Sequence, residues 1–494
     1  MSPDQSGPRP DAGGTTQHEG DVVILGMGAA GEDLGLRLAD AGLDVIGIEA
    51  ELLGGECPYW ACIPSKMMTR AANLLAEARR VDCVAGRVEV VPDWSAVAAR
   101  IRTEATGNWD DSYAVARFEE RGGTFVRGRG TLTGPRRVRV GEQSYVARRG
   151  IVIASGSRPR VPSIPGLADA DFWTTRDAIM AEAVPESLLV LGGGGAGCEL
   201  GQVFARFGAR VTLVEALDRL LPNEEPEASA VVSAAFEVEG ISVRTGARVA
   251  SVSATDGAMQ VELADGEVLR AERLLVAAGR VVDLTSLGLD SVGLDGSASS
   301  IPVDEYLRAA DGIWAMGDVT GMPMFTHTAL YQASIVAADI LEESTAPADY
   351  RAFPRVTFTD PEVGAVGMSE AEDLGAGLDV AVAVKRIPST FRGWLHGPGN
   401  QGVLKLVIDR SAGTLVGATS VGPQGGELLG LLSAVVHARI PIDDLRGMIY
   451  AYPTFYGAFG EALGAYARGI GTVIDPSYAS DGVLESYAGV RRHG

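Results

Sequence analysis

Residues 22–50 read VVILGMGAAGEDLGLRLADAGLDVIGIEA, and residues 188–216 read LLVLGGGGAGCELGQVFARFGARVTLVEA. The two segments align without a gap at an offset of 166 residues. Each has four apolar residues, a G-x-G-x-x-G run, a helical pattern, a glycine and a second apolar strand ending in Glu-Ala. The glycines are Gly26, Gly28 and Gly31 in one copy and Gly192, Gly194 and Gly197 in the other. The first glycine allows the tight turn from strand to helix, the second lets backbone approach a pyrophosphate, and the third permits close helix–strand packing. The pyrophosphate would meet the helix N-terminus, with its unpaired N–H groups and positive dipole end. Glu49 and Glu215 each follow the last glycine of their copy by 18 residues, placing an acid at the tip of the second strand for ribose hydroxyls. One such run is weak evidence. Two copies, each with strand, helix and acid in register, predict two dinucleotide sites; the bland alternative is a tightly packed strand–turn–helix that binds nothing.

Two dinucleotides in one chain imply electron transfer between them, and a flavin with a nicotinamide is the usual pair. Glu215 would repel the 2′-phosphate of NADPH, so NADH is the expected partner of the second site. Arg219, four residues further on, leaves NADPH open.

The composition agrees. At 494 residues the chain exceeds one hydrophobic core, so three or more domains are expected. A net charge of −22 disfavours nucleic acid and anionic membrane surfaces. No apolar run is long enough to span a bilayer. The first 20 residues are polar and read as a disordered lead-in, without the basic and apolar blocks of a signal peptide. Four cysteines are too few for a disulfide framework, and a cytoplasmic location is expected. Lys66, Lys385 and Lys405 are the only lysines.

Half of the cysteines lie in GGECPYWACIPSK, residues 54–66. Cys57 and Cys62 follow the first strand–helix–strand unit and precede a helical pattern over residues 67–78. Their spacing is too wide for the usual zinc knuckle, and no second Cys or His pair lies nearby. Two unrelated buried thiols remain an alternative. The third reading is a redox disulfide beside a flavin, whose thiolate would need a helix N-terminus or a nearby cation. Lys66 is such a cation.

At this point the chain resembles the flavoprotein disulfide reductases, the class I pyridine nucleotide-disulfide oxidoreductases that include dihydrolipoamide dehydrogenase and mercuric reductase. The resemblance runs from about residue 21 to about residue 463. GGECPYWACIPSK looks like the family's redox motif. IASGSRPRVPSIPG, with Gly156, looks like the crossing from the FAD to the NAD domain, and LLVAAGR, with Gly279 and Arg280, looks like the return. IWAMGDVTG, with Asp318, looks like the second FAD motif. The resemblance implies that Cys57 is the interchange thiol and that Cys62 lies against the flavin as a charge-transfer thiolate. It implies that Lys66 sits near flavin N5, paired with Glu199. Asp318 would bind the ribityl or phosphate region, Glu49 the FAD adenosine ribose and Glu215 that of NADH.

The family's closing His-Pro-Thr-x-x-Glu motif is altered. The matching residues are Tyr452-Pro453-Thr454-Phe455-Tyr456-Gly457, and no histidine lies in the stretch. In the family that histidine comes from the partner subunit and moves the thiol proton. A tyrosine, with an unperturbed pKa of about 10, can donate a proton but is a poor base at neutral pH. Tyr452 is therefore a candidate catalytic group, with Tyr456 and Glu461 as neighbours that could compensate; packing at a dimer interface is the alternative. No cysteine follows Cys198, so the extra C-terminal pair of mercuric reductase is missing.

The expected architecture is α/β: two Rossmann-like FAD- and NAD(P)-binding domains plus a C-terminal α+β dimerisation domain. The FAD domain is placed at 21–160 and 284–345, the NAD(P) domain at 161–283, the interface domain at 346–470 and a tail at 471–494. VLKLVID and TLVGATSV supply alternating strands, and GELLGLLSAVVHARI an apolar helix for dimerisation. The leading functional expectation is a homodimeric oxidoreductase passing electrons from NADH through FAD and the cysteine pair to a small disulfide or electrophile. A flavin-direct reductase of a quinone or nicotinamide, and a silent FAD-binding subunit, are the alternatives.

Overall fold

The computed structural model describes residues 17–255 and 257–468. The expected tail at 471–494 and residues 1–16 of the lead-in lie outside the described residues. Residues 17–20 correct the lead-in: they already belong to strand β1 (Gln17–Leu25), where Gln17 to Gly20 pair in register with Ser144 to Ala147. Backbone pairing needs no apolar side chains, which is why a polar stretch concealed a strand.

The described residues form two compact units. The first comprises residues 17–59, 106–158 and 280–348, the second 60–105, 159–279 and 349–468. In the first, β1 pairs in parallel with β2 (Val45–Glu49) on one side and Gln143–Ile153 on the other. The main sheet runs Arg308–Ala310, Ile313–Ala315, Gln143–Ile153, β1, β2, Thr124–Arg127, and an antiparallel ribbon of Gly130–Gly134 and Arg137–Val140 joins its side. Val22, Val23 and Ile24 are fully buried. Successive residues point to opposite faces, so an unbroken apolar run fits a parallel strand covered on both sides. Helix α1 (Ala29–Asp40) and helix Thr326–Ile340 cover one face through Leu34, Leu38, Val336 and Ile340. Each such side chain contributes roughly 1.5–3 kcal/mol on burial.

In the second unit the repeated motif builds a smaller parallel sheet, ordered Ser242–Arg244, Arg210–Val214, Ser187–Leu191, Arg273–Val276. A three-stranded antiparallel sheet packs its Val252, Met259 and Val261 with Leu189 and Leu274. The C-terminal segment is a five-stranded antiparallel sheet, in which VLKLVID becomes Val403–Asp409 and TLVGATSV lies within Thr414–Gly422. The apolar helix Gly425–Ala438 packs on it through Leu428, Leu429, Leu432 and Val436.

Residues 60–105, expected within the FAD domain, associate with the second unit. The reason is helix α3 (Cys62–Arg80), which lies along helix Gly195–Arg206: Arg206 Nη1 donates to Asn73 Oδ1 and Arg79 Nη2 to the Arg206 carbonyl at 2.9 Å. The helix begins five residues before the periodic stretch that predicted it. Pro64 is tolerated because the first-turn N–H groups have no intrahelical partner.

Candidate functional site

The two glycine loops repeat each other in detail. Gly26 has φ +98° and Gly192 φ +115°, a left-handed backbone that an L side chain resists. A Cβ on Gly31 would lie 2.0 Å from the Gly26 carbonyl oxygen, and one on Gly197 2.0 Å from that of Gly192. These glycines are demanded by the protein's own packing. Gly28 and Gly194 differ: a Cβ at either would meet nothing within 4 Å. Their smallness leaves a cradle at the start of a helix, which is what an approaching pyrophosphate requires.

The acids close the loops in the same way. Glu49 Oε2 accepts the Met27 N–H at 2.8 Å and Oε1 that of Glu51 at 2.8 Å. Glu215 Oε2 accepts the Gly193 N–H at 2.6 Å and Oε1 that of Leu217 at 2.8 Å. Each carboxylate oxygen keeps a lone pair for a ribose hydroxyl. Burial raises the Glu49 carboxyl above its ordinary range, against the backbone N–H groups that pull it down. Arg219 turns to its own loop, donating from Nη2 to the carbonyls of Pro222 at 2.7 Å and Glu224 at 3.2 Å.

A further cluster in the first unit gathers residues far apart in the chain. Arg280 donates from Nε to Ser157 Oγ at 2.6 Å and from Nη2 to the Ser157 carbonyl at 2.7 Å, and Ser157 Oγ donates to Asp318. Gly156 (φ +66°) leaves open space beside it, and in the second unit Gly279 (φ +94°) does the same. Ser157 was not singled out in the sequence; its neighbour Gly156 was the nearest signal.

Cys57 lies on α2 (Glu56–Trp60), a single helical turn, and Cys62 is the first residue of α3. Both are half-buried. The start of a 19-residue helix favours a thiolate at Cys62 through its N–H groups and dipole. One turn on, Lys66 Nζ donates to Glu199 Oε2 at 2.7 Å and lies 4.6 Å from the centre of the Phe358 ring. Glu199 Oε1 accepts the Phe358 N–H at 2.8 Å, so the carboxylate orients the lysine and is itself held. Trp60 carries the Arg176 guanidinium 4.3 Å from its ring centre.

The same helical stripe continues beyond Glu199. Gln202 receives the Asp360 N–H at 2.8 Å and donates to the Asp360 carbonyl at 2.8 Å. Arg206, 3% exposed, reaches Asp360 at 2.8 Å and Glu239 at 2.6 Å, and Arg80 reaches Asp360 at 2.8 Å. Burial pushes the Asp360 carboxyl up, but Arg206 and Arg80 outweigh it and hold it low. Phe358 and Asp360 escaped sequence reasoning. The available signal was the polar stripe Glu199, Gln202, Arg206 on an otherwise buried helix.

The altered C-terminal motif forms an aromatic corner. Tyr452 is 72% exposed and meets Phe391 edge-on at 5.4 Å. Tyr456 accepts the Ala451 N–H on its hydroxyl at 2.7 Å, which orders the turn. Glu461 pairs with Lys385 at 2.8 Å.

Comparison with known proteins shows the family. The family model described as pyridine nucleotide-disulphide oxidoreductase matches residues 20–333, and its dimerisation domain matches residues 353–463. A dihydrolipoyl dehydrogenase of Chlorobaculum tepidum is 32% identical over 455 residues, covering 90% of this chain and 96% of that protein. A mercuric reductase of Acidithiobacillus ferrooxidans is 31% identical over 480 residues, covering 94% and 86%. Among solved structures, LpdA of Mycobacterium tuberculosis superposes with a TM-score of 0.80 at 26% identity, covering 92% of this chain and 100% of that one. The HOCl-induced flavoprotein disulfide reductase RclA of Escherichia coli, in its Cu(II) complex, gives a TM-score of 0.80 at 26% identity over 90% of this chain and 99% of that one. The chain belongs to the pyridine nucleotide-disulphide oxidoreductase family, as an FAD- and NAD(H)-using flavoprotein oxidoreductase with two Rossmann-like domains and a dimerisation domain.

Proposed function

We propose that this enzyme uses NADH to reduce a small disulfide or electrophilic metabolite by way of Cys57 and Cys62. The observation that carries the reading is Cys62 at the first position of α3 with the Lys66–Glu199 pair one turn away. The first glycine loop, Glu49, Ser157 and Asp318 would hold FAD. The second loop and Glu215 would hold NADH, and Arg219 directs its Nη2 to carbonyls of its own loop, which supports NADH over a 2′-phosphate. Bound FAD supplies the two-electron relay between NADH and the cysteine pair.

The residues then divide the work. The helix start and Lys66 stabilise Cys62 as a thiolate, and Glu199 holds the lysine in place. Cys57, on the short turn before it, attacks the acceptor. The net reaction oxidises one NADH and, with one proton, reduces one disulfide to two thiols. Tyr452 occupies the motif position at which the family carries its histidine, and its hydroxyl would act as a donor to the departing thiolate. The dimerisation-domain match and the exposure of Tyr452 support a homodimer whose site takes this residue from the partner subunit. An NADH donor supports a cytoplasmic reaction; among the described residues no helix is long and apolar enough to cross a membrane.

The test is anaerobic titration of the holoenzyme with NADH, followed by iodoacetamide and mass mapping. Cys57 and Cys62 should resist alkylation before NADH and label after one equivalent. Labelling that is independent of NADH would remove the pair from the electron path. The loss of the His–Glu motif then favours the second reading, direct reduction of a quinone or nicotinamide acceptor.

A further inference from the structure

The first cysteine turn is gripped from a strained segment of the same unit. Residues 107, 108 and 109 run consecutively in the left-handed region, with φ of 54° at Gly107, 61° at Asn108 and 57° at Trp109. Glycine visits this region readily; asparagine tolerates it, and tryptophan does not. Such a run persists only where surrounding contacts over-determine it. Two contacts do so. The Trp109 indole Nε1–H donates to the Tyr59 carbonyl at 3.2 Å, and the buried Asp111 accepts the Leu53 N–H on Oδ2 at 2.7 Å. Leu53 and Tyr59 bracket Cys57.

The grip falls where the chain needs it. A five-residue helix satisfies few of its own terminal carbonyls, and Tyr59 is near the end of one. The preceding loop is already pinned: Gly54 donates to the Met27 carbonyl at 2.7 Å, and a Cβ on Gly55 would lie 2.7 Å from Gly28 Cα. Tyr59 is 7% exposed, with its ring against Gly54, and burial together with Asp111 and Glu32 pushes its phenol up to about 12, so it stays a neutral anchor.

We propose that Trp109 is a positioning residue for Cys57, its indole N–H capping the cysteine-bearing turn so that Cys57 is held for closure of the disulfide with Cys62. The proposal rests on reading Cys57 and Cys62 as the redox pair. Holding the turn lowers the entropy lost on closure, so the clamp favours the disulfide over the dithiol.

The experiment poises the holoenzyme in reduced and oxidised dithiothreitol, without NADH, and quantifies alkylated Cys57 and Cys62. In each exchange one dithiothreitol loses two electrons and two protons and closes its ring, and the protein disulfide gains them as two thiols. W109F should shift the equilibrium about fivefold towards the dithiol, the equivalent of one neutral hydrogen bond, and should alkylate faster at Cys57 than wild type. W109H, which keeps a ring N–H, should recover part of the shift. N108G relieves strain while sparing the indole contact; it should raise the melting temperature and leave the equilibrium at the wild-type value. An unchanged equilibrium and Cys57 alkylation rate in W109F overturn the proposal, and so does an equal shift in N108G. If W109F does not fold, W109H and W109L decide: a donor role requires W109H to lie nearer wild type than W109L, and equal equilibria in the two overturn the proposal. Because dithiothreitol and not NADH sets the poise, failure here is distinct from failure of the proposed electron path.

Discussion

Three lysines serve this chain, and each is committed to carboxylates. Lys66 faces Glu199, Lys385 faces Glu461, and Lys405, 2% exposed, sits among Glu225, Glu227 and Glu370 at 2.8–3.0 Å. Their settings predict different outcomes. K66M and E199Q should each slow NADH-dependent labelling of the cysteine pair roughly tenfold or more in stopped-flow quench, with FAD content unchanged. K405M leaves two buried carboxylates uncompensated and should cost about 3–5 kcal/mol in urea unfolding, without a specific loss of activity. Asp373 presents the opposite case. It is fully buried with neither carboxyl oxygen hydrogen-bonded, and burial, then Glu372 and Asp409, raises its pKa from 3.8 to about 6. The unfolded chain ionises it at lower pH, so stability falls as pH rises from about 4 through 6. D373N should raise the melting temperature at pH 8, by on the order of 2 kcal/mol of stability, and change little at pH 4.

At the scale of elements, the glycine loops separate two demands that look identical in sequence. Gly197 is fixed by contact with Gly192, whereas Gly194 faces open space. G197A should therefore lower the melting temperature sharply or prevent folding. G194A should fold normally and raise the KM for NADH about tenfold, because its methyl intrudes only on the dinucleotide. If G194A binds NADH as wild type does, the cradle is not a pyrophosphate site. Helices show the same division. The strand–helix–strand repeat was legible because its apolar strands and glycines are local necessities. The start of α3 at Cys62 was not, since it depends on Pro64 fitting a first turn and on partners along helix Gly195–Arg206.

For the whole molecule, the dimerisation segment leaves Phe391, Trp394, Ile449 and Tyr452 exposed, with Ile449 at 95%. A run of this kind on one chain of a family with a dimerisation domain is expected to be covered by a second copy. I449D should raise the dimer dissociation constant about a hundredfold in sedimentation, and disulfide turnover should fall with the monomer fraction. Turnover that persists in the monomer would show that Tyr452 of the partner subunit is dispensable.

Sequence alone determined the two glycine loops, the acids Glu49 and Glu215 that close them, the cysteine motif and the missing histidine. These are set by local backbone geometry and by chemistry at fixed spacing, which a linear reading retains. Tertiary structure alone decided the rest. It joined Ser157 to Arg280 and Asp318, seated Phe358 and Asp360 against one stripe of helix Gly195–Arg206, assigned residues 60–105 to the second unit and bent residues 107–109 around the Cys57 turn. Each of those choices satisfies a buried charge or a backbone group with a partner more than 40 residues away, and no local pattern encodes such a partner.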